Sequence, residues 1–216
     1  MAVNYQKKIV TDGLVLCLDA TDIKSYSGTG TTWYDRSGNG NNGTLGNTEY
    51  NNGAIVFNKS NSYVRAGSPS TPSYNTFTYN AWIYSTNNNG YRTIIDQGND
   101  DWLLTVNNGQ IICYDPTFNS GYFINLNQWY NVSITHVNGG PVLFYVNGSL
   151  VYTSSNTSIT HTSFSYFGIG AGMYLDGSPD PEVWSGNISQ ASIYNRALSQ
   201  SEILQNYNAQ KGRYGL

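Results

Sequence analysis

Charged residues are scarce in this chain of 216 residues, and so are cysteines and long apolar runs. Lysine and arginine number 10 against 13 acidic residues, so no basic surface can displace counterions and we expect no nucleic-acid partner. Two cysteines, Cys17 and Cys113, are too few for a disulfide scaffold, and we expect both to be buried free thiols. Because no apolar run is long enough, we expect neither a signal peptide, nor a transmembrane segment, nor membrane insertion.

What the sequence does contain is aromatic residues, glycine and short strand-like runs. Nineteen tyrosines favour strands, and 23 glycines favour the turns between them. The runs lie at 13–20, 53–58, 62–67, 77–85, 91–98, 102–108, 110–115, 129–137, 141–147, 149–154, 167–172 and 187–195. The pair Asn147-Gly148 between two alternating runs predicts a tight hairpin. We predict an all-β antiparallel sandwich, with residues 1–12 as an N-terminal extension and 13–216 as a single domain.

One segment near the C-terminus has the pattern of a helix. Within residues 198–212, Ser199 and Glu202 are spaced as a capping box, which satisfies free backbone N–H groups at a helix start. The apolar residues that share one face of this helix are Ile203, Leu204 and Tyr207. Gly212 can end the helix in a left-handed conformation. The prediction is one short helix packed on the sandwich by its apolar face.

The stretch "WYDRSGNGNNGTL" at residues 33–45 interleaves three glycines with three asparagines. It is not a phosphate-binding loop, because no lysine follows the glycines. It is not a dinucleotide-binding turn either, because strand-like sequence rather than a helix follows it. Glycine and asparagine both tolerate positive φ, and asparagine side chains bond to nearby backbone groups. The stretch therefore predicts a compact turn.

Several segments together resemble laminin-G-like, concanavalin A-like jelly rolls. The opening "GLVLCLDA…WYDRSGNGNNGTL" is similar to the family's first strand and its Asp-x-Ser-Gly-Asn-Gly turn. Further segments with a counterpart in the family are "FTYNAWIYS", "LNQWYNVSITHVNGGPVLFYVNGSLV" and "GNISQASIYNRALSQSEILQNYN". The resemblance extends from about residue 13 to 208 and implies a β-sandwich jelly roll with one C-terminal helix.

The chain also resembles laminin-G-like proteins of bacteriophage virions, through its Leu-x-Leu-Asp-Ala strand and the closing "NYNAQKGRYGL". This resemblance implies a capsid decoration, fibre or tail protein that is assembled in the host cytoplasm and located in the virion. The implied partners are a host-surface glycan or other virion proteins, and we expect a homo-oligomer, with a trimer as one option. Two functions remain open, adhesion to a glycan and purely structural assembly.

Catalysis is the third alternative, because related jelly rolls include glycoside hydrolases. Those enzymes use two carboxylates that flank the glycosidic bond, on a strand of the form Glu-x-Asp-x-x-Glu. The glutamates of this chain are Glu49, Glu182 and Glu202, and none lies in such a strand. His136 and His161 accompany no Gly-x-Ser-x-Gly nucleophile elbow. We therefore expect a protein that is not an enzyme.

A calcium ion is the cofactor that the laminin-G resemblance implies, since such domains often bind Ca²⁺ at a sheet rim through oxygen ligands. The candidate ligands are Asp19, Asp35 and Asn39. Where family members carry an acidic pair in the closing strand, this chain has Ser189-Gln190, which removes charge from the site. The alternative is that Asp35 caps the glycine-rich turn with its own side chain.

Loop aromatics beside polar residues are the candidates for ligand binding, because sugars stack on aromatic faces while polar groups hold their hydroxyls. The candidates are Asp100, Asp101, Trp102, Tyr114, Tyr122, Tyr174, Asp176 and Trp184. The acidic stretch from Asp176 to Glu182 could instead hold calcium or be a solvated loop. The aromatics could also cover the edge of the core or pack against a second subunit. Strand aromatics such as Trp82, Trp129 and Phe144 are expected in the core.

Overall fold

The computed structural model describes residues 8–67, 76–98, 104–113, 118–155, 166–174 and 176–216. Within these ranges the chain forms two antiparallel β-sheets with an apolar core between them and one short helix near the C-terminus. The all-β sandwich predicted from the sequence is confirmed. No helix in these ranges is long and apolar enough to cross a membrane.

The first sheet has eight strands in the described part of the chain. They are β1 (Leu14–Asp19), β4 (Glu49–Asn51), β5 (Ala54–Phe57), β7 (Phe77–Ser85), β12 (Trp129–His136), β13 (Val142–Val146), β14 (Ser149–Thr153) and β16 (Gly186–Tyr194). Their spatial order is β14-β13-β12-β7-β16-β5-β4, and β1 also pairs with β16. The Asn147-Gly148 hairpin joins β13 to β14, with both residues at positive φ as such a two-residue turn requires.

The second sheet also has eight strands among the described residues. They are β2 (Thr32–Trp33), β3 (Gly43–Gly46), β6 (Tyr63–Gly67), β8 (Tyr91–Asp96), β9 (Leu104–Asn107), β10 (Gln110–Cys113), β11 (Phe118–Phe123) and β15 (Tyr166–Ile169). Their spatial order is β11-β10-β9-β8-β15-β6-β3-β2. Four strands were not predicted, namely β2, β3, β4 and β11, and each is short or rich in glycine and polar residues.

Alternation along β7 shows how the sequence separates the two faces of the first sheet. Tyr79, Ala81 and Ile83 belong to the core between the sheets. Successive strand residues point to opposite faces, so Asn80 and Trp82 lie on the outer face. Both are nevertheless buried, and the C-terminal segment covers Trp82. The sequence analysis placed Trp82 in the core. It is instead a buried residue of the outer layer.

The helix α1 (Gln200–Gln210) is held at its start by the predicted capping box. The Ser199 side chain accepts from the Glu202 backbone N–H, and the Glu202 carboxylate accepts from the Ser199 N–H. Arg196 adds two further bonds to that carboxylate, at 2.6 and 3.0 Å. The prediction that Gly212 ends the helix in a left-handed conformation is wrong. The chain continues as a 3-10 helix over Lys211–Tyr214, and the left-handed residue is Gly215 with φ 74°.

The C-terminal segment is fastened to the outer face of the first sheet by aromatic stacking. The Trp82 ring stacks on Tyr214, with ring centroids 3.9 Å apart, and its Nε1 donates to Gln210 Oε1 at 2.8 Å. The Arg213 guanidinium donates to Asp19 at 2.6 Å. From the predicted N-terminal extension, Val10 is buried against the same layer. Both ends of the described chain thus pack on one face of the sandwich.

The ion pair at the helix start predicts a specific acid sensitivity. Hydrogen bonds from Arg196 lower the pKa of Glu202 from 4.5 to about 2. Stability gained from a lowered carboxyl pKa is fully present above pH 4.5 and is lost as the pH falls toward 2. Because the side chain is 28% exposed, we expect on the order of 2 kcal/mol. Urea unfolding measures the effect: between pH 4.5 and pH 2 the free energy of unfolding of wild type should fall by about 2 kcal/mol more than that of Glu202→Gln.

The matched control for this acid effect is Glu49→Gln. Glu49 forms an exposed pair with Lys59 at 3.7 Å, and such pairs contribute little to stability. We expect its pH profile to follow that of wild type. Equal slopes for wild type and Glu202→Gln would contradict the assignment of the Arg196–Glu202 pair.

Candidate functional site

The glycine-rich turn at residues 33–45 is organised around the carboxylate of Asp35. One oxygen accepts from the N–H groups of Cys17 and Ser37, and the other accepts from the Asn41 N–H and the Ser37 hydroxyl. All four distances lie between 2.7 and 3.0 Å. This is the capping role that the sequence left as an alternative to calcium binding.

The same turn covers the free edge of β1. On its other side β1 pairs with β16, so its outward N–H and C=O groups need partners. The Asn39 and Asn41 side-chain amides donate to Leu14 and Val15 carbonyls, and the Arg36 N–H donates to the Cys17 carbonyl. The asparagine and glycine content of this stretch is therefore explained by closing a sheet edge, with no ligand required.

The three predicted calcium ligands do not form a site that fits a hard cation. The Asp19 carboxylate accepts from Arg213 and Thr21, and Asp35 is surrounded by four donors. Asn39 uses its amide N–H₂, which repels a cation, rather than its oxygen. Within the described ranges no three His, Cys, Asp or Glu side chains come together to hold a metal. Calcium binding stays a prediction from the family resemblance.

The predicted ligand-binding residues fall into three groups. Asp100, Asp101, Trp102 and Tyr114 lie outside the described residues. Tyr122 lies on β11, where it packs against the core and where burial raises the pKa of its hydroxyl. Tyr174, Asp176 and Trp184 lie in the segment that follows β15.

Trp184, one of the predicted ligand-binding residues, is buried. Its side chain is 1% exposed and belongs to the core cluster, so neither ring face is open to stacking by a sugar. The chain continues from Val183 and Trp184 directly into β16, which draws the ring between the sheets. Trp184 is also among the residues that line a small cavity at the surface.

Tyr174 and Asp176 are exposed and lie in a tight turn over the second sheet. The Gly177 N–H donates to the Tyr174 carbonyl, and the Tyr174 N–H donates to the Ser178 carbonyl. Hydrogen bonds from the Ser178 hydroxyl and N–H lower the pKa of Asp176, which keeps it ionised. Tyr174 is 39% exposed. The turn thus places a partly exposed aromatic ring near an ionised carboxylate.

Two residues that the sequence analysis missed complete this surface. Arg65 on β6 alternates with the core residues Val64 and Ala66, so it points away from the core. Its guanidinium lies 4.9 Å from the centroid of the Tyr166 ring. A lone arginine in the alternating run "YVRAG" was the signal that could have identified it.

Arg65, Tyr166, Tyr174 and Asp176 are here called the outer patch. The turn that holds Tyr174 and Asp176 contacts the Arg65–Tyr166 pair at Gly177. A Cβ added to Gly177 would lie 2.8 Å from the Arg65 Nη1 and 3.4 Å from the Tyr166 ring. No carboxylate of the described residues lies within ion-pair distance of Arg65. The patch combines aromatic rings, a guanidinium and a carboxylate, the groups that stack on a sugar and bond its hydroxyls.

A larger open cavity of about 630 Å³ lies at the other side of the sandwich, beside the two ends of the described chain. Four of its charged side chains form ion pairs with one another, Arg213 with Asp19 and Arg36 with Asp22. Burial raises the pKa of the Cys17 thiol to about 12, so this cysteine is not a nucleophile at neutral pH. Cys17 and Cys113 are both buried and neither forms a disulfide, as predicted.

Comparison with known proteins identifies the fold. A family model described as the concanavalin A-like lectin/glucanases superfamily matches residues 58–204, more than half of the chain. No curated protein matches the sequence significantly.

Solved structures of similar fold include sialidases and a further protein, HCR/D. Trypanosoma rangeli sialidase in complex with sialic acid matches with a TM-score of 0.70 and 20% identity over 93% of this chain. A mutant of that sialidase displaying trans-sialidase activity matches with a TM-score of 0.72 and 22% identity over 95% of this chain. A single-residue mutant of HCR/D matches with a TM-score of 0.69 and 17% identity over 94% of this chain. The chain spans 33%, 34% and 53% of these three chains, and at such identities the likeness shows the fold alone.

Proposed function

We propose, because the chain belongs to the concanavalin A-like lectin/glucanases superfamily, that it is a non-catalytic binding module whose outer patch recognises a host-surface glycan. One observation carries the proposal. Arg65, Tyr166 and the Tyr174–Asp176 turn come together on an outward face of the sandwich. The tyrosine rings would stack on apolar faces of sugar rings, and the guanidinium and carboxylate would bond their hydroxyls.

The placement of the glutamates supports binding without catalysis. Glycoside hydrolysis by the usual route needs two carboxyl groups about 5–10 Å apart on either side of the bond. Glu49 lies on β4 beside Lys59, Glu202 caps the helix, and Glu182 lies in the segment before β16. The three belong to separate parts of the fold, and two of them are already engaged by cations.

The fold is shared with about a third of a sialidase chain whose structure contains sialic acid, which is consistent with this proposal. We place the module in a bacteriophage virion, as a capsid decoration, fibre or tail protein, because of the sequence resemblance at its opening strand and closing segment. Immunolabelling of purified particles tests the location. Label on the particle surface supports it, and label confined to the host lysate contradicts it.

A second candidate function is structural assembly into a homo-oligomer. Phe123 and Leu126 are 62% and 43% exposed at the edge strand β11 and just beyond it. Exposed apolar residues at a sheet edge favour contact with another copy. Light scattering after size exclusion gives the oligomeric state, and a glycan array gives the binding. Together the two measurements separate the two functions. A tight oligomer that retains no glycan favours assembly alone.

Binding to a glycan array tests the outer patch directly. We expect wild type to retain a defined set of glycans and Tyr174→Ala to bind them about tenfold more weakly, because the stacking surface is lost. Arg65→Gln should show a similar loss. The control is Tyr34→Ala, which removes a tyrosine that is 53% exposed on the glycine-rich turn. Equal losses for Tyr34→Ala and Tyr174→Ala would contradict the proposal.

A further inference from the structure

A row of five side chains crosses the outer face of the first sheet, from β4 to β12. The strands bring its members into register as successive cross-strand neighbours, in the order Glu49, Val56, Asn187, Tyr84 and Trp129. On β5, β16, β7 and β12 a residue adjacent to the member belongs to the central core, so alternation directs the member outward. We call these five residues the cross-strand row.

The adjoining row on the same face is covered by the C-terminal segment. Its members are all buried, and they are Asp19, Gln190, Trp82 and Asn131. In the cross-strand row, by contrast, the Glu49 side chain is 57% exposed and the other four members are partly exposed. The outer face of the first sheet is thus divided between a row that stabilises the fold and a row that solvent reaches.

The C-terminal segment borders the cross-strand row at its aromatic end. The centroid of the Trp129 ring lies 4.9 Å from that of Tyr214 and 5.5 Å from that of Tyr84. Tyr214 is itself fixed, because it stacks on Trp82 and its hydroxyl donates to Ser189 Oγ at 3.0 Å. Trp129 is therefore held between two rings, and a ligand that contacts it loses less affinity to the ordering of a side chain.

The length and chemistry of the cross-strand row indicate an extended ligand that is rich in hydroxyls. Four strand spacings of about 4.8 Å give a length of roughly 19 Å, which suits a chain of several sugars rather than one. Tyr84 and Trp129 offer aromatic rings for stacking at one end. Asn187 offers an amide in the middle, and Glu49 offers a carboxylate at the other end. Since Glu49 pairs with Lys59 at 3.7 Å, the row favours a neutral chain over an acidic one.

We propose that the cross-strand row is a second carbohydrate-binding site, which takes a linear neutral oligosaccharide laid across the strands. This inference rests on the proposed glycan-binding function and adds a site on the other sheet from the outer patch. Tyr84 and Trp129 stack on sugar rings, while Asn187 and Glu49 bond hydroxyls further along the chain. Because the contacts are distributed along the row, affinity increases with the length of the oligosaccharide.

Trp129 supplies a direct probe of this site, because the other tryptophans of the described residues are buried, namely Trp33, Trp82 and Trp184. A surface row encloses a ligand less than a pocket does, so we expect weak binding and follow it by NMR. The indole N–H resonance of Trp129 in ¹⁵N-labelled full-length protein, assigned from its absence in Trp129→Phe, is observed during titration with maltohexaose, cellohexaose and laminarihexaose.

We expect at least one of these hexasaccharides to move the Trp129 resonance with saturation, and the corresponding disaccharide to bind at least tenfold more weakly. Glucose at the same mass concentration should leave the resonance unchanged. A Trp129 resonance that none of the three hexasaccharides moves, or that the disaccharide moves with equal affinity, would overturn the inference.

Glu49→Ala tests whether one oligosaccharide spans the row. Glu49 stands roughly 19 Å from Trp129, so its loss affects the Trp129 titration only through a ligand that reaches both. We expect several-fold weaker binding of the hexasaccharide and unchanged binding of the disaccharide, and Asn187→Ala should weaken the hexasaccharide at least as much. The control is Asp176→Ala, which removes an exposed carboxylate on the other sheet. Equal hexasaccharide affinities in wild type, Glu49→Ala and Asn187→Ala would contradict the proposal.

The two binding proposals fail separately. If Tyr174→Ala weakens array binding while the Trp129 resonance stays fixed, the cross-strand row is refuted and the outer patch stands. If a hexasaccharide moves the Trp129 resonance while Tyr174→Ala leaves array binding unchanged, the outer patch is refuted and the cross-strand row stands.

Discussion

Replacing Trp82 with alanine is expected to lower the free energy of unfolding by about 3–5 kcal/mol, the usual cost of removing a large buried aromatic. The side chain is fully buried between the outer face of the first sheet and the C-terminal segment. Its loss leaves a cavity, ends the stacking on Tyr207 and Tyr214, and leaves Gln210 without its donor. For a domain of this size the melting temperature should fall by roughly 6–20 °C.

Differential scanning calorimetry and urea unfolding measure this loss, and Trp82→Phe is the matched control. Phenylalanine keeps an aromatic ring under Tyr214 but cannot donate to Gln210, so we expect a loss of about 1–2 kcal/mol. A cost for Trp82→Ala below about 1 kcal/mol would show that the C-terminal segment is not fastened to the sheet as described.

The second large effect is expected at Gly186, the first residue of β16. Its φ of 133° lies in a region open essentially to glycine, and an added Cβ would collide with the carbonyl oxygen of Tyr84. Strain and overpacking together should make Gly186→Ala at least about 3 kcal/mol less stable. The change also disturbs the entry of the chain from Trp184 into the sheet. Urea unfolding measures the loss.

Gly40→Ala separates strain from collision. Gly40 also has a positive φ, at 76°, but an added Cβ would meet no atom within 4 Å. We expect a cost of about 1–2 kcal/mol from the left-handed backbone alone. Equal costs at Gly40 and Gly186 would contradict the close approach of β16 to Tyr84.

The sandwich itself could be predicted because its main signals are local. Alternation identified the long strands, Asn-Gly identified the β13–β14 hairpin, and Ser199 with Glu202 identified the start of the helix. The strand β11 was missed because Asn119, Ser120 and Gly121 in its centre are typical of a loop. At an edge position such residues are tolerated, since only one side of the strand must pair.

The candidate site was only partly predictable, because it depends on which face of each sheet another segment covers. Alternation places Trp82 and Arg65 on the outer faces of different sheets, but sequence does not show that the C-terminal helix covers Trp82. Trp184 was predicted as a ligand-binding loop aromatic, with a place at the edge of the core as the alternative. It is instead drawn into the core by the strand that follows it.

The central claim is that an open face of this sandwich binds a glycan without cleaving it. Isothermal titration calorimetry with the strongest array glycan, followed by mass spectrometry of the same sample, tests both halves at once. The account predicts saturable binding that Tyr174→Ala weakens about tenfold, and a glycan recovered intact after prolonged incubation. Recovery of shortened glycan, or binding that is unchanged in Tyr174→Ala, would contradict it.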